Sequence, residues 1–388
     1  MTERLYYTDA YLTHFTARVT HRSDDGRRVY LDRSAFYPTS GGQPHDLGSL
    51  GDIPIVDVVD EGAGIAHVLA EPLCSEHADG VVDWMRRFDH MQQHTGQHLL
   101  SAVFADRYGY DTLSVHFGPD YATLDLSTEV VPAEHLREAE ECANALVTEN
   151  RAVAVSFEDA AAAQGLRKAS QREGELRVVA IEGVDRSACG GTHVRATGEI
   201  GPILLRRQEK MKRQARIEFL CGNRAVRRAR RDFSVLSNLA ISASASIDEL
   251  PTLVSAQVEQ IKAAESARRK LEDEVAGYRA RGAWDLATPD ERGVRWLVNR
   301  QAAGRADDAR VYALAVAALP GAVFAACFDD ARSILLAASA DSGVDAGKRL
   351  KDALATVGGK GGGSPRLAQG NAPTVEALGL AWHALCLR

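Results

Sequence analysis

The spacing of apolar positions changes along the chain, and the changes mark out its parts. Residues 1–88 carry short runs in which apolar and polar residues alternate, at 16–20, 28–31, 53–59 and 65–69, separated by Gly, Pro and Asp. They predict strands, and strands this short and numerous predict a small barrel-like domain. From residue 89 the spacing becomes helical. Asp89 and Gln92 are spaced like a capping box, and Leu99, Leu100, Val103 and Phe104 follow on one face. Strand-like runs at 123–126, 152–157 and 177–181 then alternate with helical runs at 132–150 and 160–165, the last capped by Asp159. Residues 89–224 therefore predict a two-layer α/β domain.

Residues 225–282 read as a helical spacer. Ile247, Leu250, Val254, Ile261, Ala264, Leu271, Val275 and Tyr278 recur at heptad spacing, interrupted by Gln257 and Arg268. The pattern suits a coiled coil, a helical hairpin on its own chain, or a short dimer contact. Residues 283–388 alternate apolar runs at 294–298, 323–328 and 334–338 with helical runs at 309–318 and 346–355, ending in a helix from Thr374. This predicts a separate α/β domain and a mixed α+β chain.

Composition narrows the class of protein. Of 388 residues, 45% are hydrophobic and 26% charged, an ordinary globular balance for a chain of several domains. No run approaches the ~20 apolar residues of a membrane span, and Met1 to Tyr7 lacks a signal peptide's apolar region. Six scattered cysteines without a CxxC pair fit a reducing compartment, so the expectation is a cytoplasmic protein with no membrane partner. The net charge of -7 conceals a local reversal: residues 206–231 hold eleven Lys or Arg, among them Arg206, Arg207, Lys210, Lys212, Arg213 and Arg216. Such a stretch is either a solvated face or a phosphate-attracting patch.

Two stretches carry ligand chemistry. On a helix from residue 89, His94 and His98 are four apart and present two imidazoles on one face. The Cys-Gly-Gly-Thr-His run of Cys189 to His193 follows a strand, and its glycines let Cys189 and His193 turn toward a common point. Three imidazoles and a thiolate form a borderline-soft set that suits one Zn2+ better than Mg2+, Ca2+ or Mn2+. His90 is left out of this set, and His116, beside apolar residues, reads as a core histidine. A third stretch, Thr39, Ser40, Gly41, Gly42 and Gln43, combines hydroxyls with a flexible glycine turn. Near the C-terminus, a glycine-rich loop of residues 358–366 with Lys360 and Arg366 offers amides and charge to anions, although it lacks the spacing of a P-loop.

Taken in order, the residue 36–46 loop, the His94 helix and the Cys189 loop resemble the editing domain of alanyl-tRNA synthetase and its free-standing AlaX relatives. The likeness covers about residues 1–225, and a weaker one reaches the C-terminus, where the last part resembles the DHH-associated domain of those synthetases. The resemblance implies a zinc-dependent hydrolase acting in trans on mischarged tRNA for alanine, cleaving seryl-tRNA and, as a second candidate substrate, glycyl-tRNA. It implies Thr39, Ser40 and Gln43 at the catalytic site, with Gly41, Gly42, Arg206, Arg207, Lys210, Lys212, Arg213, Lys360 and Arg366 toward the tRNA. The acceptor end would face the residue 36–48 loop, and a homodimer would form through the spacer or the C-terminal domain. With the β-rich domain starting at residue 1, the expectation is that the chain does not itself charge tRNA. The rival readings are a non-catalytic tRNA-binding protein with a structural zinc and, weakened by the lack of an Asp-His-His motif, a phosphodiesterase.

Overall fold

In His77–Val82 every second residue is buried, and His14–Arg22 begins with the same alternation. Strands with one apolar face must close that face against something, and here the sheet closes on itself. The computed structural model, which describes residues 1–168 and 173–386, shows a closed antiparallel barrel. Its strand order is His14–Arg22, Arg28–Leu31, Ile65–Leu69, Ile53–Asp60, Gly48–Leu50 and His77–Val82. The barrel is filled by Phe15, Val29, Leu31, Leu50, Ile55, Val58, Ile65 and Leu69. Gly80 makes room for the Phe15 ring, since a Cβ there would lie 2.3 Å from it.

The barrel leads directly into helix α1 (Trp84–Tyr108). This helix starts a turn and a half before the capping-box reading placed it. Asp83 is the N-cap, its carboxylate accepting the Arg86 amide, while Asp89 lies inside the helix and pairs with Arg224 at 2.6 Å. The capping-box spacing was met by two residues whose side chains serve tertiary contacts instead, for Gln92 donates to the Glu199 carbonyl at 2.9 Å. Gly109, at φ +68, ends the helix.

Helices α1 and α2 (Ala133–Thr148) pack on a four-stranded antiparallel sheet ordered Ile203–Met211, Gln214–Cys221, Ala122–Leu126 and Thr112–Phe117. A separate three-stranded sheet holds Val153–Asp159, Glu175–Ile181 and Asp185–Ala188. The helix expected at 160–165 is absent: Asp159 ends a strand and its carboxylate accepts the Ala161 amide at 2.9 Å, closing a turn rather than capping a helix. His116 is also corrected, because its strand turns it outward and it is exposed rather than a core histidine.

Contacts divide the chain into two units, Met1–Ser242 and Ala243–Arg388. Helix α3 (Asn223–Ser242) closes the first. The second opens with α4 (Leu250–Leu286), whose heptad residues Val254, Ile261, Leu271, Val275 and Tyr278 are exposed in the single chain. Its last turns pack through Ala280 against α5 (Arg310–Ala317). A five-stranded sheet follows, ordered Arg295–Gln301, Ala322–Phe328, Ser333–Ala338, Leu367–Asn371 and Lys360–Ser364, with only the first pair parallel. The central strands are buried on both faces: Val323, Ala325 and Cys327 point to α6 (Ala346–Ala355) and α7 (Val375–Cys386), and Phe324, Ala326 and Phe328 to α5. That is why they read as continuous apolar runs.

The residue 358–366 segment is not an open loop. Lys360–Ser364 is an edge strand paired with Leu367–Asn371. Its glycines serve close packing: a Cβ at Gly361 would lie 2.6 Å from Leu354, and one at Gly363 2.3 Å from the Leu367 carbonyl oxygen.

Candidate metal centre

Helix α1 is buried around most of its circumference, so its polar side chains must find partners inside the protein. Gln93 both donates to the Cys221 carbonyl and accepts its amide, at 3.0 and 2.8 Å. The loop of residues 36–48 is tied to the helix by Arg87, which is fully buried and donates to Asp46 and to the carbonyls of Ala10 and Ala35. Asp46 in turn accepts the Tyr37 amide at 2.6 Å. This buried ion pair fixes the loop, and the loop fixes Gln43.

His94, His98, Cys189 and His193 each bring one donor atom into a group whose members all lie within 4.8 Å of one another. The three histidines are nearly buried, and the Cys189 thiol is held by its neighbours. Each imidazole has its Nδ1 engaged elsewhere. His94 Nδ1 donates to the Gln43 amide oxygen at 2.8 Å, and His98 Nδ1 to Asp185 at 2.8 Å. The Thr95 hydroxyl donates its proton to the Met91 carbonyl, so its oxygen accepts from His193 Nδ1 at 3.1 Å. All three Nε2 atoms are thereby left for the common point, and those of His94 and His193 lie 3.4 and 3.3 Å from Cys189 Sγ. Outer hydrogen bonds that fix tautomer and ring orientation are the usual support of a metal-ligating histidine.

The loop of Cys189 to His193 is set by Arg177, which donates to the carbonyls of Tyr7, Cys189 and Gly191 at 3.0, 2.7 and 2.9 Å. Gly191 is needed for a close approach, since a Cβ there would lie 2.2 Å from His94. Burial opposes ionisation of the Cys189 thiol, but His94 and His193 prevail and hold it well below the usual thiol range. Burial pushes His193 down to about 3. Burial also disfavours charge on His98, yet Asp185 and Cys189 raise it to about 10. The surroundings thus favour the thiolate at Cys189 and the protonated ring at His98.

The other expected residues are spread more widely. Gln43 is buried, bonded to His94 and to the Thr192 hydroxyl at 2.8 Å, which makes it a support for the cluster. Thr39 is exposed and its oxygen accepts the His45 amide, while Ser40 bridges back to Gln43 across the Gly41-Gly42 turn, both glycines having positive φ. Gly42 lies against the Val115 carbonyl and the Phe117 ring. Arg206, Arg207, Lys210, Lys212 and Arg213 lie on the hairpin of Ile203–Met211 and Gln214–Cys221, with Arg206 paired to Asp232, Arg207 to Glu209 and Lys210 to Glu129. Lys360 and Arg366 belong to the second unit. Asp185, Thr95 and Arg177 were missed in the sequence, where a lone Asp, Thr or Arg carries no spacing signal.

These features define an α+β protein organised around a three-histidine, one-cysteine cluster between a barrel and a helix-on-sheet layer. Residues 176–218 match the model of the threonyl and alanyl tRNA synthetase second additional domain. Over 95% of its length the chain is 30% identical to the alanyl-tRNA editing protein AlaX-L of Pyrococcus horikoshii, covering 94% of that protein. It is 35% identical to AlaX-M of Methanosarcina acetivorans across 56% of this chain and 98% of the relative. It is also 35% identical to the alanyl-tRNA editing protein Aarsd1-B of Xenopus laevis across 55% of this chain and 54% of that one. The chain belongs to the AlaX family of alanyl-tRNA editing proteins.

Proposed function

We propose that this protein is a trans-acting aminoacyl-tRNA hydrolase that removes serine, with glycine as a second candidate, from mischarged tRNA for alanine. The observation that carries the reading is the convergence of His94, His98, Cys189 and His193 with every imidazole Nδ1 held from outside. A thiolate and three neutral imidazoles suit one Zn2+, which would supply Lewis-acid polarisation of a carbonyl or bind the substrate's amino or hydroxyl group. An aminoacyl ester is already activated, so the protein's own part is mainly to position the ester and the attacking water. Gln43 and Asp185 hold the ligand rings, and the Thr39 and Ser40 hydroxyls are the groups assigned to serine selection. The acceptor end approaches the residue 36–48 loop, while Arg206, Arg207, Lys210, Lys212, Arg213, Lys360 and Arg366 attract the tRNA backbone.

Incubating the protein with seryl-, glycyl- and alanyl-tRNA and following ester loss tests the reading. Rapid loss from seryl-tRNA with alanyl-tRNA spared is expected. Tight tRNA binding without cleavage of any ester would favour a tRNA-binding protein with a structural zinc.

A further inference from the structure

Helix α3 places Arg224, Arg227, Arg228 and Arg231 at successive spacings of three, one and three residues, so the four share one face. That face walls a groove of about 910 Å³, whose other side carries Arg206 and Arg207 of the hairpin. Six guanidinium groups thus meet two acids on the groove wall, Asp120 and Glu218. Four of the arginines are already paired: Arg224 with Asp89, Arg206 and Arg228 with Asp232, and Arg207 with Glu209. These pairs fix the walls. Arg227 and Arg231 are exposed and make no ion pair among the described residues, which leaves two adjacent cations facing an open groove.

The groove does not end there. Arg224, Arg227 and Pro119 also line a second hollow of about 510 Å³, which runs to Pro44 of the glycine-rich loop. This hollow is of different character. Its walls include the side chains of Met85, Phe88 and Phe117, and the buried His90 in its lining has an Nδ1 with no hydrogen-bond partner. Phe117 forms part of this wall, and its ring lies 5.1 Å from that of His94. A cationic trough leading into a hollow that offers Met85, Phe88 and Phe117 beside Arg86, Gln92 and Asn223, next to the cluster, matches a polyanion that carries flat rings with polar edges. An acidic peptide would use the trough but not the hollow.

We infer that the trough along α3 and the hollow beside Pro44 together seat the RNA backbone and a nucleotide near its reactive end, with Arg227 and Arg231 as the phosphate-binding groups. The inference rests on the hydrolase reading and deepens it, since it assigns the RNA path to residues outside the hairpin cations named above. Guanidinium groups suit this task because their planar donor fork matches phosphate oxygens.

The test uses the full-length protein and its Arg227→Gln/Arg231→Gln and Arg227→Lys/Arg231→Lys variants, with seryl-tRNA and with the seryl ester of adenosine, which is too small to span the trough. For the Gln variant, kcat/KM on seryl-tRNA should fall by about tenfold or more, mostly through KM. The slope of log affinity against log salt should become shallower by about 1 for each phosphate that is no longer neutralised. In the single Arg231→Gln variant, whose side chain lines the trough and not the hollow, hydrolysis of the adenosine ester should hold within about twofold, and the Lys variant should recover much of the tRNA affinity. Unchanged affinity and salt slope would overturn the inference. So would an equal loss on the adenosine ester, which would mean that the arginines support the fold, or polyglutamate binding as tightly as RNA. If the wild-type protein binds tRNA with these arginines yet cleaves neither ester, the hydrolase reading fails while the groove assignment stands.

Discussion

At the residue scale the cluster is governed by what lies behind each imidazole. Removing an outer hydrogen bond frees the ring without removing a ligand, so Gln43→Leu and Asp185→Leu should each weaken metal binding by about 10–100-fold while the fold persists. Competition with a chromogenic chelator measures this; unaltered affinity in both would show that the rings need no such support. Proton counting gives a second check. His94 and His193 hold the Cys189 thiol well below the usual thiol range, and Asp185 and Cys189 raise His98 to about 10. Metal uptake at about pH 7.5, roughly one unit above the usual histidine value, should then release about one proton, from His98 rather than from the thiol. Calorimetry in buffers of different ionisation enthalpy reads that number directly. Serine selection tests the hydroxyls: because serine exceeds alanine by one hydroxyl, a hydrogen bond of about 1 kcal/mol made only by serine is what Thr39→Val or Ser40→Ala would remove. The ratio of kcat/KM for seryl- over alanyl-tRNA should fall in at least one variant.

At the element scale, the decisive joint is between the residue 36–48 loop and helix α1. Arg87 and Asp46 are both fully buried, so truncating one leaves the other charged and unpaired. Asp46→Ala should therefore cost about 3–5 kcal/mol of stability, seen as a lower denaturant midpoint, whereas replacing an exposed ion-pair member such as Glu259 should cost less than about 1 kcal/mol. The helices and strands themselves were largely legible. The run at 28–31 is a barrel strand with the same limits, and 346–355 is α6. The errors have a common cause. Asp89, Gln92 and Asp159 are residue types that cap helices, but side chains of that kind also satisfy distant or local backbone groups, and only packing decides which.

At the scale of the whole molecule, acid sensitivity follows from buried neutral histidines. His67, inside the barrel and bonded to Ser34 at 2.7 Å, is pushed by burial down to about 4. Its folded pKa is depressed, so between about 6.5 and 4 the unfolded chain binds a proton that the folded one refuses. Stability is therefore full above pH 6.5 and is lost as pH falls toward 4, by roughly 3 kcal/mol from this group. His90, pushed by burial to about 3, acts in the same direction. Urea midpoints of metal-free protein at several pH values, compared with those of His67→Gln, should show the variant's pH dependence flattened. The two units frame a further expectation: Met1–Ser242, which contains the cluster, should retain the single-turnover rate at saturating tRNA while its KM rises for want of Lys360 and Arg366.

The linear sequence by itself determined the quartet of His94, His98, Cys189 and His193 that the fold brings together, the barrel's strand runs and the doubly buried strands of the C-terminal sheet, because these depend on periodicity and on donor type at short spacing. It also carried enough family likeness to name the class of reaction. Tertiary structure alone decided that Gln43 supports His94, that Arg177 pins the Cys189 loop, and that four arginines of α3 line one groove with the hairpin. It also placed Gly361, Gly362 and Gly363 in an edge strand rather than an open loop. The physical reason is the same in each case: a lone polar side chain or a glycine has many local uses, and its partner lies tens of residues away, where only packing brings the two within hydrogen-bond or van der Waals distance.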